Sequence, residues 1–135
     1  MAYLLDTNIC IYIIKRKPLS VLKRFERLSP DDVAMSMITL GELEYGAYRS
    51  QNPHKALNVI EALITYIPVI PCSEDVARHY ADIRADLVCK GMMIGNNDLW
   101  IAAHARSLER TLVSNNLREF QRVAGLQLEN WVDED

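Results

Sequence analysis

Three acids stand where apolar runs give way to polar sequence. Asp6 closes the run Tyr3-Leu4-Leu5, and Glu42 lies in the first turns of the helical segment after Val33-Ala34-Met35-Ser36-Met37. Asp98 lies near the start of GNNDLWIAAHARSLER, just ahead of the run Thr111-Leu112-Val113-Ser114. Asn116, directly after that last run, is a fourth polar group in a matching position. Singly, each has a plain role: Asp6 and Asp98 as helix caps, at about 1 kcal/mol apiece, Glu42 as a solvated acid near a helix N-terminus, and Asn116 as a turn residue. Together they can do more. Three carboxylates brought within a few ångströms repel one another and raise at least one pKa unless cations compensate. A hard ion such as Mg²⁺ takes oxygen ligands, needs few carboxylates and keeps several waters. Two such ions, about 3.5 to 4 Å apart, can activate water and stabilise the leaving oxygen of a phosphodiester.

That chemistry requires the acids to converge, and the elements predict that they do. Tyr3–Leu5 is a continuous apolar run, the mark of a strand buried on both faces. Asp6 and Asn8 offer capping chemistry to a short helix through Ile9, Ile11, Ile13 and Ile14. Pro18 opens a second amphipathic helix with Leu19, Leu22, Phe25 and Leu28 at helical spacing, and Ser29 to Asp32 form a turn. Val33 to Met37 read as the second strand, with Thr39 capping the helix after it. Pro53 to Tyr66 is helical, Ile67 to Ile70 a third strand placed at an edge by Pro68, and Ser73 to Lys90 a long helix ended by Gly91. Thr111 to Ser114 and Leu126 to Leu128 are the last strands. Strands alternating with helices imply right-handed crossovers and a parallel sheet covered on both faces, an α/β fold. Functional groups of such a sheet collect beyond its carboxyl ends, where these acids fall.

The 135 residues suit one domain spanning 1–135, and half of them are hydrophobic and 24% charged, a globular composition. A net charge of −3 gives no general basic footprint, so attraction to nucleic acid requires a local patch or bound cations. Cys10, Cys72 and Cys89 are odd in number and contain no CxxC, and read as reduced, mostly buried hydrophobes. With no basic leader and the Ile9–Ile14 stretch interrupted at Lys15, neither a signal peptide nor a membrane span is expected, and the cytoplasm is the expected location.

At the acids the sequence resembles a known family. LLDTNICIYIIK, SMITLGELEYGA and IGNNDLWIAAHARSLERTLVSNNLREFQRVAGLQLENW look like the signature blocks of VapC toxins, the PIN-domain ribonucleases of bacterial type II toxin–antitoxin systems, in order and over nearly the whole chain. The resemblance implies a three-layer α/β/α domain with a central parallel sheet. It assigns Asp6, Glu42 and Asp98 to an acidic, metal-binding catalytic centre using Mg²⁺ or Mn²⁺; beside it, Thr7 and Asn8 can hydrogen-bond the Asp6 carboxylate or a bound water, or serve as ordinary helix caps. It implies an endoribonuclease that inhibits translation, and similarity to enteric-type members points to tRNA, initiator tRNA in particular. It further implies a homodimer and a cognate VapB-like antitoxin that covers the active-site groove and alone mediates contact with operator DNA. The fourth family position falls on Asn116, where many PIN domains carry Asp. An amide adds no negative charge, so a second ion is expected to need oxygen ligands from the RNA phosphate, and Glu119 is a nearby substitute acid.

Lys15, Arg16, Lys17, Lys23, Arg24 and Arg27 cluster after the first strand and can guide a phosphate backbone, or simply solvate two helices. Trp100, Tyr45, Tyr48 and Trp131 can stack on bases, though core and interface roles are commoner. Tyr12 and the isoleucine stripe suit an apolar groove for a partner. His54, His79 and His104 share no ligand spacing, and His104 lies off the Asp98 face of its helix. Two other classes compete: a phosphatase with an aspartyl nucleophile, whose DxDxT pattern is missing from DTN, and a non-catalytic binding module.

Overall fold

The computed structural model describes residues 2–132. Among them five strands form one parallel sheet in the order β3-β2-β1-β4-β5, with β1 at Tyr3–Leu5, β2 at Val33–Ser36, β3 at Val69–Ile70, β4 at Thr111–Val113 and β5 at Leu128–Glu129. The helices between them are α1 (Thr7–Lys15), α2 (Leu19–Glu26), α3 (Met37–Tyr48), α4 (Pro53–Tyr66), α5 (Glu74–Lys90), α6 (Asn96–Leu108) and α7 (Leu117–Phe120). Helices cover both faces of the sheet, giving the expected three-layer α/β/α arrangement.

The unbroken apolar strands follow from this double covering. Alternate residues point to opposite faces, so Tyr3, Leu5, Val33, Met35 and Val113 pack with Ile9, Ile13, Val21, Leu43, Ile60 and Leu63 of α1 to α4. Leu4, Ala34 and Leu112 face the other way, onto Val76, Ile83 and Leu87 of α5, Leu99 and Ile101 of α6, and Phe120 of α7. Among the described residues no helix is long and apolar enough to cross a membrane.

Several boundaries differ from those expected. The second strand stops at Ser36, and Met37 begins α3, because Ser36 rather than Thr39 supplies the cap: its Oγ accepts from the Ile38 N–H at 3.0 Å. Thr39 lies buried inside the helix. The third strand is only Val69–Ile70, at the edge Pro68 predicts, and the fifth is shifted to Leu128–Glu129. In α2 the buried positions are Val21 and Leu22, while Leu19 is 60% exposed, and Pro18 caps the helix rather than joining it. Gly91 ends α5 as expected, at φ 64°. Cys10 is buried, but Cys89 is exposed; both are free thiols.

Candidate active site

Strand register sets the first part of the site. Leu5 pairs with Val113 and Leu4 with Ala34, so Asp6 and Ser114, the first residues past β1 and β4, and Ser36, the last residue of β2, come side by side at the sheet's carboxyl edge. Asp6 is 5% exposed and caps α1, its Oδ1 accepting from the Ile9 N–H at 2.9 Å. The Ser114 hydroxyl and the Asn8 backbone N–H also donate to it. Ser114 in turn accepts from the Asn116 N–H at 2.9 Å. Burial pushes the Asp6 carboxyl up to about 6, with a smaller push from the Glu42 charge, against the lowering effect of these donors.

Glu42 reaches the site from the second turn of α3. Its Oε1 accepts from Thr7 Oγ1 at 2.5 Å and its Oε2 from Asn97 Nδ2 at 3.3 Å, so α1 and α6 both hold it. Thr7 also approaches Thr39 Oγ1, at 3.3 Å. Asp98, in the first turn of α6, lies where a helix N-terminus favours negative charge. Its pKa is nonetheless raised to about 6, first by burial, then by a hydrogen bond and charge from Glu119, then by the charges of Asp6 and Glu42. The Asp98 and Glu119 carboxyls thus lie within hydrogen-bonding reach of each other. Glu42, Asp98 and residues 95–97 line a concavity of about 370 Å³.

Asn116 has a defined task in this arrangement. It heads the short helix α7, and its Nδ2 donates to Glu119 Oε2 at 2.9 Å. The amide thus holds an acid from the next helical turn against Asp98. Phe120, fully buried, anchors α7 beneath. Four carboxylates interact across the end of the sheet.

An all-oxygen set in which burial and neighbouring acids raise the pKa of Asp6 and Asp98 fits a hard divalent cation, which would offset that cost. Among the described residues no group of three or more His, Cys, Asp or Glu side chains is already drawn together closely enough to hold a metal ion. Mg²⁺ suits such an open set, because it retains waters and takes one or two carboxylates.

Other candidates divide. Asn8 is exposed and contributes its backbone N–H to Asp6. Lys15, Arg16 and Lys17 are exposed at the end of α1. Arg24 is committed elsewhere: it pairs with Glu129 and lies over the Trp131 ring at 5.3 Å. Trp131 is itself buried against Tyr3, which removes it as a base platform, and Trp100 is stacked on Tyr80 at 3.7 Å. Tyr45 and Tyr48 remain exposed. An apolar groove of about 500 Å³ runs between α1, α3 and α4, lined by Ile11, Ile14, Leu43, Ala47, Val59 and Ile60 and reaching Glu42 at one end. Tyr12 lies off it, with its hydroxyl accepting from Asn115 Nδ2 at 2.8 Å.

Residues 3–126 match the model of the PIN domain. The chain is 47% identical over 132 residues to ribonuclease VapC2 of Haemophilus influenzae, covering 98% of this chain and 99% of that one. It is 46% identical over 131 residues to the tRNA(fMet)-specific endonuclease VapC of Shigella flexneri, covering 97% and 98%. The fold superposes with a TM-score of 0.91, at 39% identity and covering 98% and 100%, on a chain of VapBC2 from Rickettsia felis bound to a DNA fragment from their promoter.

Proposed function

Because the chain belongs to the VapC family of PIN-domain ribonucleases, we propose that it is a divalent-metal-dependent endoribonuclease toxin, a single PIN domain over 1–135 that inhibits translation by cutting tRNA, initiator tRNA above all. The observation that carries this reading is the gathering of Asp6, Glu42, Asp98 and Glu119 at the sheet's carboxyl edge, where burial first and neighbouring acid charge second raise the pKa of both Asp6 and Asp98. Acids so placed are costly without a cation and useful with one.

Asp6, Glu42 and Asp98 would hold Mg²⁺ or Mn²⁺, with Glu119 in place of a fourth family acid. Bound there, the metal supplies charge to stabilise the phosphorane-like transition state and to activate a water. Ser114 and the α1 backbone fix the Asp6 carboxylate by hydrogen bonds. Thr7 and Asn97 clamp Glu42 from two sides, so that it needs no rearrangement when substrate arrives. Lys15, Arg16 and Lys17 provide the basic approach for the RNA backbone, a contact that weakens with salt.

Partners follow from the relatives. The groove between α1, α3 and α4 ends at Glu42, so an apolar segment of a VapB-like antitoxin lying in it would also cover the acids. Operator DNA would be reached through that antitoxin, and the toxin would act as a homodimer in the cytoplasm.

The chain purified free of antitoxin is expected to cut tRNA with Mg²⁺ or Mn²⁺ and to stop in EDTA, as mapped by the ends produced. Undiminished cutting in EDTA would overturn the metal mechanism. Glu119→Gln, which keeps shape and removes the charge, is expected to lower cleavage about 10-fold to 100-fold and to raise the Mg²⁺ concentration required. Asn116→Asp is expected to retain activity, since it returns an acid to the family position. A Glu119→Gln protein as active as the parent at low Mg²⁺ would remove Glu119 from the centre.

A further inference from the structure

His104 is fully buried on α6, far from solvent and with no place among the acids. Its Nδ1 lies 2.7 Å from Ser36 Oγ. That hydroxyl also accepts from the Ile38 N–H at the head of α3, and Cys72 Sγ lies 3.7 Å from the same imidazole nitrogen. Nε2 has no hydrogen-bond partner, and the Pro71 backbone near the imidazole partly offsets the cost of burying it. A buried histidine with one short bond and one poorly satisfied nitrogen is a costly way to fill a core. A leucine would fill it more simply.

The cost is informative because of what the bond connects. Ser36 ends β2 and caps α3, and α3 carries Glu42 six residues on. His104 belongs to α6, which carries Asp98 six residues before it and Asn97, the donor to Glu42. The bond is thus a buried polar tie between the two helices that bring Glu42 and Asp98 together. Packing alone leaves a helix start free to slide by fractions of an ångström, whereas a directed 2.7 Å hydrogen bond does not. We infer that His104 is a positioning residue: through Ser36 it fixes the head of α3, and so the place of Glu42 relative to Asp98. This rests on the reading of Glu42 and Asp98 as the acids that serve RNA hydrolysis.

The test separates position from stability. His104→Leu keeps bulk and removes the hydrogen-bonding nitrogen, while His104→Asn puts an amide, able to donate or accept, where Nδ1 stood but leaves a void. His104→Leu is expected to lower kcat about 10-fold, as sub-ångström misplacement of a reacting group does, with KM for tRNA within about 2-fold, since the contacts that bind RNA are untouched. The Mg²⁺ concentration giving half of the full thermal shift is expected to rise about 5-fold or more, the usual sensitivity of metal affinity to supporting hydrogen bonds. His104→Asn is expected to recover most of kcat in spite of a lower Tm. Should His104→Leu fail to fold, Ser36→Ala removes the same tie at the cost of one cap and is expected to show the same loss of kcat and of Mg²⁺ affinity.

A kcat that follows Tm across these variants would overturn the inference, as would a folded His104→Leu with parental kcat and Mg²⁺ midpoint. A parent chain that cuts no RNA in either metal would defeat the ribonuclease reading instead. The Mg²⁺ midpoints would then judge His104 alone, and equal midpoints in parent and variant would overturn its role.

Discussion

Replacing Asp6 by Asn is expected to lower RNA cleavage about 10³-fold or more, a loss of about 4 kcal/mol in transition-state stabilisation, while making the metal-free fold more stable. The two effects have one cause. Asp6 is almost fully buried, and burial lifts its pKa from 3.8 to about 6, so at neutral pH the fold carries a charge that its surroundings resist. With about 1.4 kcal/mol for each pKa step of one, the metal-free protein holds that charge at a cost of about 2 to 3 kcal/mol. Asn keeps the acceptor for the Ile9 N–H, and hence the cap of α1, but brings no charge. Thermal melts in EDTA at pH 7 and single-turnover cleavage of tRNA in Mg²⁺ measure the two effects. A variant less stable than the parent would show Asp6 to be a structural cap, and one that still cuts would remove it from the reaction.

The trade of stability for chemistry explains which parts of the site were legible in the sequence. Asp6, Glu42 and Asp98 stand out only together: each alone reads as a cap or a solvated acid, and Asp6 does cap α1, but three acids beside strand exits of one parallel sheet point to a shared site. The strands were legible for a related reason: Tyr3–Leu5 and Val33–Ser36 are apolar without alternation because helices cover both faces. Ser114 and Ser36 were not singled out. Each looks like an ordinary strand end, and only the register Leu5 to Val113 and Leu4 to Ala34 sets them beside Asp6. Thr39 was the more conventional cap by spacing, yet Ser36 caps the helix because the strand stops one residue earlier than its apolar run. Asn116 and Glu119 illustrate the limit of one-position reading. The missing charge at 116 is supplied three residues on, and the amide becomes the clamp that holds it. The basic cluster shows the opposite error: Arg24 looks like a phosphate ligand in sequence, but Glu129 and Trp131, over a hundred residues away, already occupy it.

The pH dependence of stability gives the second large effect, and its sign is fixed by the direction of the shifts. A carboxyl whose folded pKa lies above its unfolded value binds its proton more tightly when folded. Its contribution to stability is whole below about 3.8 and is lost as pH rises through about 6. Asp6 and Asp98 both act in this sense, with the share of Asp98 reduced because it is half exposed to screening solvent. Two groups act in the opposite sense: burial holds His104 below its usual pKa, and hydrogen bonds from Ser29 lower that of Asp32. The raw profile therefore mixes signs, and Asp6→Asn is the control that separates them, since His104 and Asp32 titrate alike in both proteins. In EDTA the Tm of the variant minus that of the parent is expected to grow from near zero at pH 4 to about 6 to 15 °C at pH 7, at roughly 3 to 5 °C per kcal/mol for a chain of this size. Adding Mg²⁺ is expected to raise the parent Tm far more at pH 7.5 than at pH 5, because the ion must displace protons from the acids at the lower pH. The variant, lacking the buried charge, is expected to respond weakly at both. Parallel Tm profiles for parent and variant from pH 4 to 7 would mean that Asp6 is ionised without strain, and the cluster would then have no electrostatic need of a cation.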